Sequence, residues 1–144
     1  MDLSGAVVAG LVATSIMTVL IYVGPKMGMP RMDMLGMLGT MFTQKRAVAY
    51  PLGTVLHFAI GVLFAAAYAL LWGRGLGDAT WPWGLAFGAA HGVIAIAVLP
   101  LMLRMHPRPP GIRMTPLTVA GMMMGHLVFG LAVALVYGAL KASG

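Results

Sequence analysis

The sequence predicts an all-α integral membrane protein built as a bundle of four transmembrane helices. Of the 144 residues, 60% are hydrophobic and only 8% are charged, whereas about a quarter of the residues in a soluble domain are charged. Four stretches lack Asp, Glu, Lys and Arg altogether, residues 3–25, 47–73, 79–103 and 114–140. Each is long enough for the helix of about 20 residues that crosses a hydrocarbon core. None alternates polar and apolar residues, which argues against membrane strands.

One domain is expected over residues 1–144, with helices over about 4–24, 48–72, 81–103 and 115–140. The methionine-rich segment that follows the first helix is too short and too polar to span the membrane. We predict a short helix over residues 30–42 that lies on the inner membrane interface. A contact between Asp33 and Arg31 is expected to cap this interfacial helix.

Small residues spaced four apart predict where the helices pack. Gly84, Gly88 and Gly92 of the third helix form a double small-xxx-small pattern, which lets a neighbouring backbone approach closely in a membrane. The same packing role is predicted for Gly61, Gly121, Gly125 and Gly130.

Two segments of the chain resemble each other. Residues 57–71 and 126–140 match at an offset of 69 (126 − 57), with shared residues His57/His126, Gly61/Gly130, Ala65/Ala134, Tyr68/Tyr137 and Leu71/Leu140. The match predicts a tandem repeat of two two-helix units, related by an axis along the membrane normal. The alternative is a chance similarity between apolar helices.

The basic residues predict the orientation. Seven of the nine lie in the loops after the first and third helices, Lys26, Arg31, Lys45, Arg46, Arg104, Arg108 and Arg113. The positive-inside rule places these loops in the cytoplasm, and hence both termini outside the inner (cytoplasmic) membrane. Anionic lipid facing these inner loops accounts for the net charge of +6 without a nucleic-acid partner.

Three histidines are the candidate functional residues within the membrane. His57, His91 and His126 each lie near the middle of a predicted helix, and polar residues at that depth usually face the bundle interior. We favour neutral imidazoles that donate hydrogen bonds to a carbonyl, Thr or Tyr of the next helix, with no cofactor. The alternatives are haem b held between two imidazoles, a metal bound by all three, and a proton relay through His and Tyr. No intramembrane Asp or Glu supports the relay.

The loop methionines have two interpretations. Thioethers are soft ligands suited to Cu(I), so Met27, Met29, Met32 and Met34 form an alternative copper site. Methionine also fills irregular apolar contacts, and we favour this packing role. The sequence has no paired carboxylate, nucleophile elbow, phosphate loop or His-x-x-x-His zinc motif. No catalytic residue is predicted, which favours a non-enzymatic protein.

Four segments together carry a family resemblance, residues 30–42, 56–72, 86–102 and 125–138. The most specific pieces are Asp33 followed by Met-Leu-Gly, and His-Leu-Val-Phe-Gly from His126. Over nearly its whole length the chain resembles the small four-helix bacterial and archaeal membrane proteins of the DUF6789-like family, whose function is unknown. The resemblance implies a fold and a membrane location, and it implies no activity or catalytic residue.

The helices carry several small-xxx-small packing surfaces and very few polar side chains, which favours a protein that works by binding other membrane proteins. We expect a non-catalytic accessory or structural subunit of a larger inner-membrane complex, concerned with respiratory or photosynthetic electron transfer. Its partners are then the lipid bilayer and other membrane-protein subunits, because four helices cannot hide all these packing surfaces internally. The alternative is a membrane carrier of haem b or copper.

Overall fold

A computed structural model of the protein describes residues 2–143, which form five α-helices and contain no strand. The helices are α1 (Leu3–Val23), α2 (Met34–Thr40), α3 (Arg46–Gly73), α4 (Trp81–Met105) and α5 (Pro116–Ser143), and a 3-10 turn, Gly24–Met27, follows α1. The four long helices are apolar and long enough to cross a membrane. The predicted four-helix membrane bundle is therefore confirmed, and among the ends of the four long helices that of α5 differs most from its prediction, at residue 143 instead of 140.

The short helix α2 is shorter than predicted and packs on protein. Asp33 caps it by accepting a hydrogen bond of 2.9 Å from the Gly36 amide. The predicted contact between Asp33 and Arg31 is wrong, because the other carboxylate oxygen accepts from the Tyr50 hydroxyl at 2.5 Å. Gly39 lies directly against the backbone of Ala49. This close approach fixes α2 on α3.

The four long helices form a bundle that is open on one side. Helix α1 packs against both α3 and α5, and α5 packs against α4. Helices α3 and α4 are consecutive in the sequence, yet their backbones hardly meet. The order around the bundle is therefore α3, α1, α5, α4, with a gap between the last helix and the first.

The two ends of the bundle have different chemistry. At one end, which we call the terminal face, the Asp2 amide donates to the Tyr137 hydroxyl at 3.1 Å, next to the loop of residues 74–80. The opposite end, the basic face, carries the segments 24–45 and 106–115. These segments hold most of the basic residues of the chain.

The two predicted repeat units pack by matching contacts. A Cβ added to Gly10 of α1 would lie 3.3 Å from the Gly61 carbonyl oxygen and 3.1 Å from the Ala65 Cβ of α3. A Cβ added to Gly84 of α4 would lie 2.7 Å from the Gly130 oxygen and 2.6 Å from the Ala134 Cβ of α5. The α3 and α5 partners are the pairs that the offset of 69 equates. The α1–α5 contact has no counterpart between α4 and α3, so the two-fold symmetry is broken at the gap.

The predicted packing glycines fall into two groups. Gly84, Gly88, Gly92 and Gly130 lie in the α4–α5 interface, and Gly61 lies against Thr14 of α1. By contrast, the atoms nearest to Gly121 and Gly125 belong to flexible methionine side chains, Met29 and Met17 respectively. A Cβ at either of those two positions would meet no backbone of a neighbouring helix within 4 Å.

Candidate functional site

A cavity of about 270 Å³ occupies the gap between α3 and α4. We call it the α3–α4 cleft. Three side chains line the cleft and are also exposed on the outside of the bundle: Ile60 on the α3 side, and Ile94 and Val98 on the α4 side. Because these side chains belong to apolar spanning helices, the mouth of the cleft opens at the level of the lipid chains.

Aromatic side chains close the cleft toward the terminal face. The His91 ring stacks on Phe64 with ring centres 3.7 Å apart and planes inclined by 19°. One turn further, the Tyr68 hydroxyl donates to the Phe87 carbonyl oxygen at 3.0 Å. These contacts connect α3 to α4 where their backbones stay apart.

Helix α2 closes the cleft toward the basic face. Met37 and Leu38 pack against Leu99 in a small apolar cluster at this end. His106, a buried histidine that the sequence analysis did not single out, holds α2 in place. Its Nε2 donates to the Met37 carbonyl oxygen at 3.0 Å, and its Nδ1 accepts from the Arg108 amide at 2.9 Å. The His-Pro-Arg turn at the end of α4 was the only sequence signal that could have indicated it.

The three predicted histidines line this one cleft from three different helices. His57, His91 and His126 are only 9%, 9% and 8% exposed. Each lies about 15 Å along its helix from the nearer end, given a rise of about 1.5 Å per residue. They therefore meet in the interior near the middle of the bundle, as their spacing predicted.

His91 and His126 both use Nδ1 for a hydrogen bond within the protein. His126 Nδ1 lies 2.7 Å from the Met122 carbonyl oxygen of its own helix. His91 Nδ1 lies 3.2 Å from the Tyr68 hydroxyl of α3. A hydrogen bond to the next helix was predicted for all three histidines. Only the bond of His91 runs between two helices.

His57 is different because its buried Nε2 atom has no hydrogen-bond partner among residues 2–143. A buried polar atom without a partner costs about 1–3 kcal/mol. The side chain nevertheless lies in an apolar wall next to Ile60 and Gly61. Among the buried side-chain nitrogen and oxygen atoms of residues 2–143, this nitrogen and Nε1 of Trp72 lack a partner.

The offset of 69 equates His57 with His126, and both line the cleft, but they are not the two rings in contact. His126 instead packs edge-to-face on His91, with ring centres 4.6 Å apart and planes at 71°. The reason is the helix order, since α5 packs directly against α4 and meets α3 only through a few residues. The two tyrosines that the offset of 69 equates also have different partners. The Tyr68 hydroxyl contacts His91, whereas the Tyr137 hydroxyl accepts from the Asp2 amide.

The ring geometry bears on the haem and metal alternatives. Two imidazoles that bind one metal ion from opposite sides have ring centres about 6 Å apart, because each nitrogen–metal bond is about 2 Å long. His91 and His126 are closer than that and touch edge-to-face, which leaves no space for a porphyrin between them. Within residues 2–143, no three His, Asp or Glu side chains are placed to share a metal ion.

The four methionines of the predicted copper alternative differ in their surroundings. Met27 is exposed and Met29 packs near Gly24, whereas Met34 lines the cleft. Met32 packs in the apolar cluster near the basic face. The cleft collects a different set of methionines from four helices, Met17, Met34, Met37, Met102 and Met122. Sequence spacing could not have indicated this set, since its members are brought together only by folding.

Comparisons of the chain with protein-family models, with curated proteins and with solved structures found no match. The similarity to the DUF6789-like family therefore stays a prediction.

Proposed function

We propose that the protein binds a small amphipathic molecule of the lipid phase in the α3–α4 cleft, with the polar group of that molecule at the histidines. The observation that carries this proposal is the buried, unpaired Nε2 of His57 in a cleft that opens between two spanning helices. A ligand that enters from the bilayer supplies the missing hydrogen bond once the His57 ring turns to bring Nε2 to the cleft, because that atom is buried where it stands.

The lining of the cleft suits an apolar body with one polar end. Ligand sites of about 300–1,000 Å³ are typically apolar with a few convergent polar groups, and this cleft of about 270 Å³ lies just below that range. It accommodates a ring or a short branched segment, while a longer tail extends through the mouth into lipid. The methionines of the lining adapt to ligand shape, because thioether side chains are flexible and polarisable.

The composition of the lining favours binding without chemistry. Apart from the three imidazoles, its only polar side chain is Thr14, whose hydroxyl already donates to the Gly10 carbonyl oxygen at 2.7 Å. No carboxylate, lysine or arginine lines the cleft. A protein that binds such a ligand without transforming it can deliver the ligand to other proteins of the same membrane. In this sense we propose an accessory role for the protein. An electron-transfer complex of the inner membrane is one proposed site for that role.

We further propose that the basic face lies in the cytoplasm and that the terminal face lies outside the inner membrane. The positive-inside rule supports this orientation. At the basic face, Lys26 and Arg31 line a groove together with Tyr22, Tyr50 and one carboxylate, that of Asp33, so two positive charges face one negative charge. Basic grooves at the cytoplasmic ends of spanning helices suit anionic lipid headgroups.

A matched pair of α4 variants tests the binding proposal. Ala95 lines the cleft, whereas Ala97 lies two residues further on the exposed side of the same helix. The probe is para-octylphenol added to wild-type protein in lipid nanodiscs, with binding followed by the NMR signals of the histidine rings. We expect saturable shifts in the wild type and in Ala97→Trp, and their loss in Ala95→Trp.

Two results would overturn the proposal. The first is wild-type histidine signals that do not respond to para-octylphenol or to its methyl ether. The second is an Ala95→Trp variant that binds as well as Ala97→Trp does. If Ala95→Trp does not fold, the smaller Ala95→Leu replaces it with the same expected order of affinities.

A further inference from the structure

We infer that the α3–α4 cleft selects ligands whose polar group donates a hydrogen bond, that is, alcohols and phenols in preference to ketones, quinones or ethers. The inference rests on the proposed function and specifies the chemical class of its ligand. It follows from the hydrogen bonds within the protein that already use the imidazole and hydroxyl protons of the cleft.

The first proton lies on His126. Its Nδ1 lies 2.7 Å from the Met122 carbonyl oxygen, which can only accept a hydrogen bond. The proton is therefore on Nδ1. A neutral imidazole carries one proton, so Nε2 of His126 is a bare acceptor.

The second proton follows from Tyr68. Its hydroxyl lies 3.0 Å from the Phe87 carbonyl oxygen and 3.2 Å from His91 Nδ1. Because the carbonyl oxygen can only accept, both contacts are hydrogen bonds at once only when the phenol proton points to Phe87. The phenol oxygen then accepts from the Nδ1 proton of His91, and Nε2 of His91 also remains a bare acceptor.

Both rings are neutral in this arrangement because of their depth. A cation near the middle of a bilayer costs about 2.5–3.5 kcal/mol or more. No carboxylate lines the cleft to offset that cost. Each ring therefore keeps a single proton.

The remaining polar groups complete the count. The Thr14 hydroxyl donates to the Gly10 carbonyl oxygen and the Tyr68 hydroxyl to Phe87, so neither offers a proton to a ligand. His57 Nε2 is unpaired and either donates or accepts, depending on its tautomer. The cleft thus presents two fixed acceptors and one adaptable nitrogen.

A hydroxyl group donates its single proton to one of the two fixed acceptors, and its oxygen accepts from His57 Nε2 when that nitrogen carries the proton. A ketone, quinone or ether only accepts, so its oxygen faces two lone pairs and finds at most one donor. Ligands that fit are hydroxyl-bearing lipids, such as a terpenoid alcohol or a hydroquinone with an alkyl tail. The oxidised quinone with the same skeleton is discriminated against.

The experiment compares para-octylphenol with its methyl ether, para-octylanisole, on full-length protein in nanodiscs with nitrogen-15 in its histidines. Without ligand, we expect His91 and His126 to show protonated Nδ1 and unprotonated Nε2. The phenol shifts these Nε2 signals on binding. The ether binds about tenfold more weakly, the factor expected when one hydrogen bond is lost.

The possible outcomes separate the two proposals. Equal affinity for the phenol and the ether overturns the donor selectivity and leaves the binding site in place. A protonated Nε2 on His91 and His126 in the free protein overturns it as well. Binding of neither compound overturns the proposed function itself. The variant Tyr68→Phe is a further check, because without the phenol oxygen His91 is no longer held in its Nδ1 tautomer and the preference for the phenol declines.

Discussion

The His91 imidazole lies flat on the Phe64 phenyl ring, with ring centres 3.7 Å apart and planes inclined by 19°. This pair joins α3 to α4 at a level where the two backbones hardly meet. It also marks the end of the cleft toward the terminal face, because the aromatic cluster of Tyr68, Trp72 and Phe87 begins directly beyond it on that side. One stacked pair thus fixes both the orientation of a site residue and the extent of the site.

Removing the Phe64 ring is expected to destabilise the bundle and to lengthen the cleft. The Phe64→Ala variant loses the stacked contact, which is worth about 1 kcal/mol. Leu63→Ala is the matched control, because Leu63 is exposed on the outside of the same helix. Thermal unfolding in nanodiscs should show a lower midpoint for Phe64→Ala than for Leu63→Ala. Equal midpoints would mean that the stack does not hold α3 to α4.

Two glycines of the small-residue seams are predicted to respond differently to alanine. A Cβ at Gly88 would lie 2.5 Å from the His126 carbonyl oxygen, whereas one at Gly125 would lie 3.6 Å from its nearest neighbour, the Met17 methyl. Gly88→Ala must push α4 from α5, at a cost of about 1–3 kcal/mol. Gly125→Ala is expected to be neutral or slightly stabilising, since alanine favours helix. Unfolding midpoints measure both, and a stable Gly88→Ala protein would show that this interface is loose.

The partner of Asp33 distinguishes the sequence prediction from the structure. Tyr50→Phe removes the hydroxyl that donates to Asp33, so α2 should become more dynamic. The loss is at most about 1 kcal/mol, because the pair is exposed and screened by water. Arg31→Ala should have no such effect. Amide hydrogen exchange over residues 34–40 reports the difference, and a larger effect of Arg31→Ala would restore the pairing predicted from sequence.

His106 should matter for the basic-face end of the cleft. His106→Ala leaves the Met37 carbonyl oxygen and the Arg108 amide without their present partner. The Met37 carbonyl oxygen keeps a 3.3 Å contact with the Thr40 hydroxyl, so the main loss is at the unpaired Arg108 amide, about 1–3 kcal/mol if it stays buried. We expect faster hydrogen exchange in α2 and unchanged exchange in the middle of α5. Wild-type protection of α2 in this variant would assign the docking of α2 to its glycine contacts with α3 alone.

The proposed orientation predicts the accessibility of two loop positions. Asp78 lies in the loop at the terminal face and Lys45 in the segment before α3. The chain contains no native cysteine, so Asp78→Cys and Lys45→Cys each provide a single reactive thiol. A membrane-impermeant maleimide applied to intact cells should label position 78 and leave position 45 unlabelled. The reverse pattern would invert the proposed topology.

The sequence alone determined the spanning segments and the depth of the three histidines. Both depend on local quantities, since the transfer of a helix into lipid sums over its own residues and the depth of a residue follows from its distance to the helix end. The matching contacts of Gly10 and Gly84 also follow the sequence, because a small residue marks a close approach wherever its partner helix lies.

Only the tertiary structure decided which histidine meets which, and where the bundle stays open. His126 pairs with His91 rather than with its repeat counterpart His57, because α5 packs on α4 while α3 stands apart. Tyr50 rather than Arg31 meets Asp33 for a similar reason, since α2 is docked on α3. Apolar helices gain little from merely leaving lipid for one another, so their order depends on how closely their surfaces fit. That fit involves residues far apart in the chain, and no pattern within one segment records it.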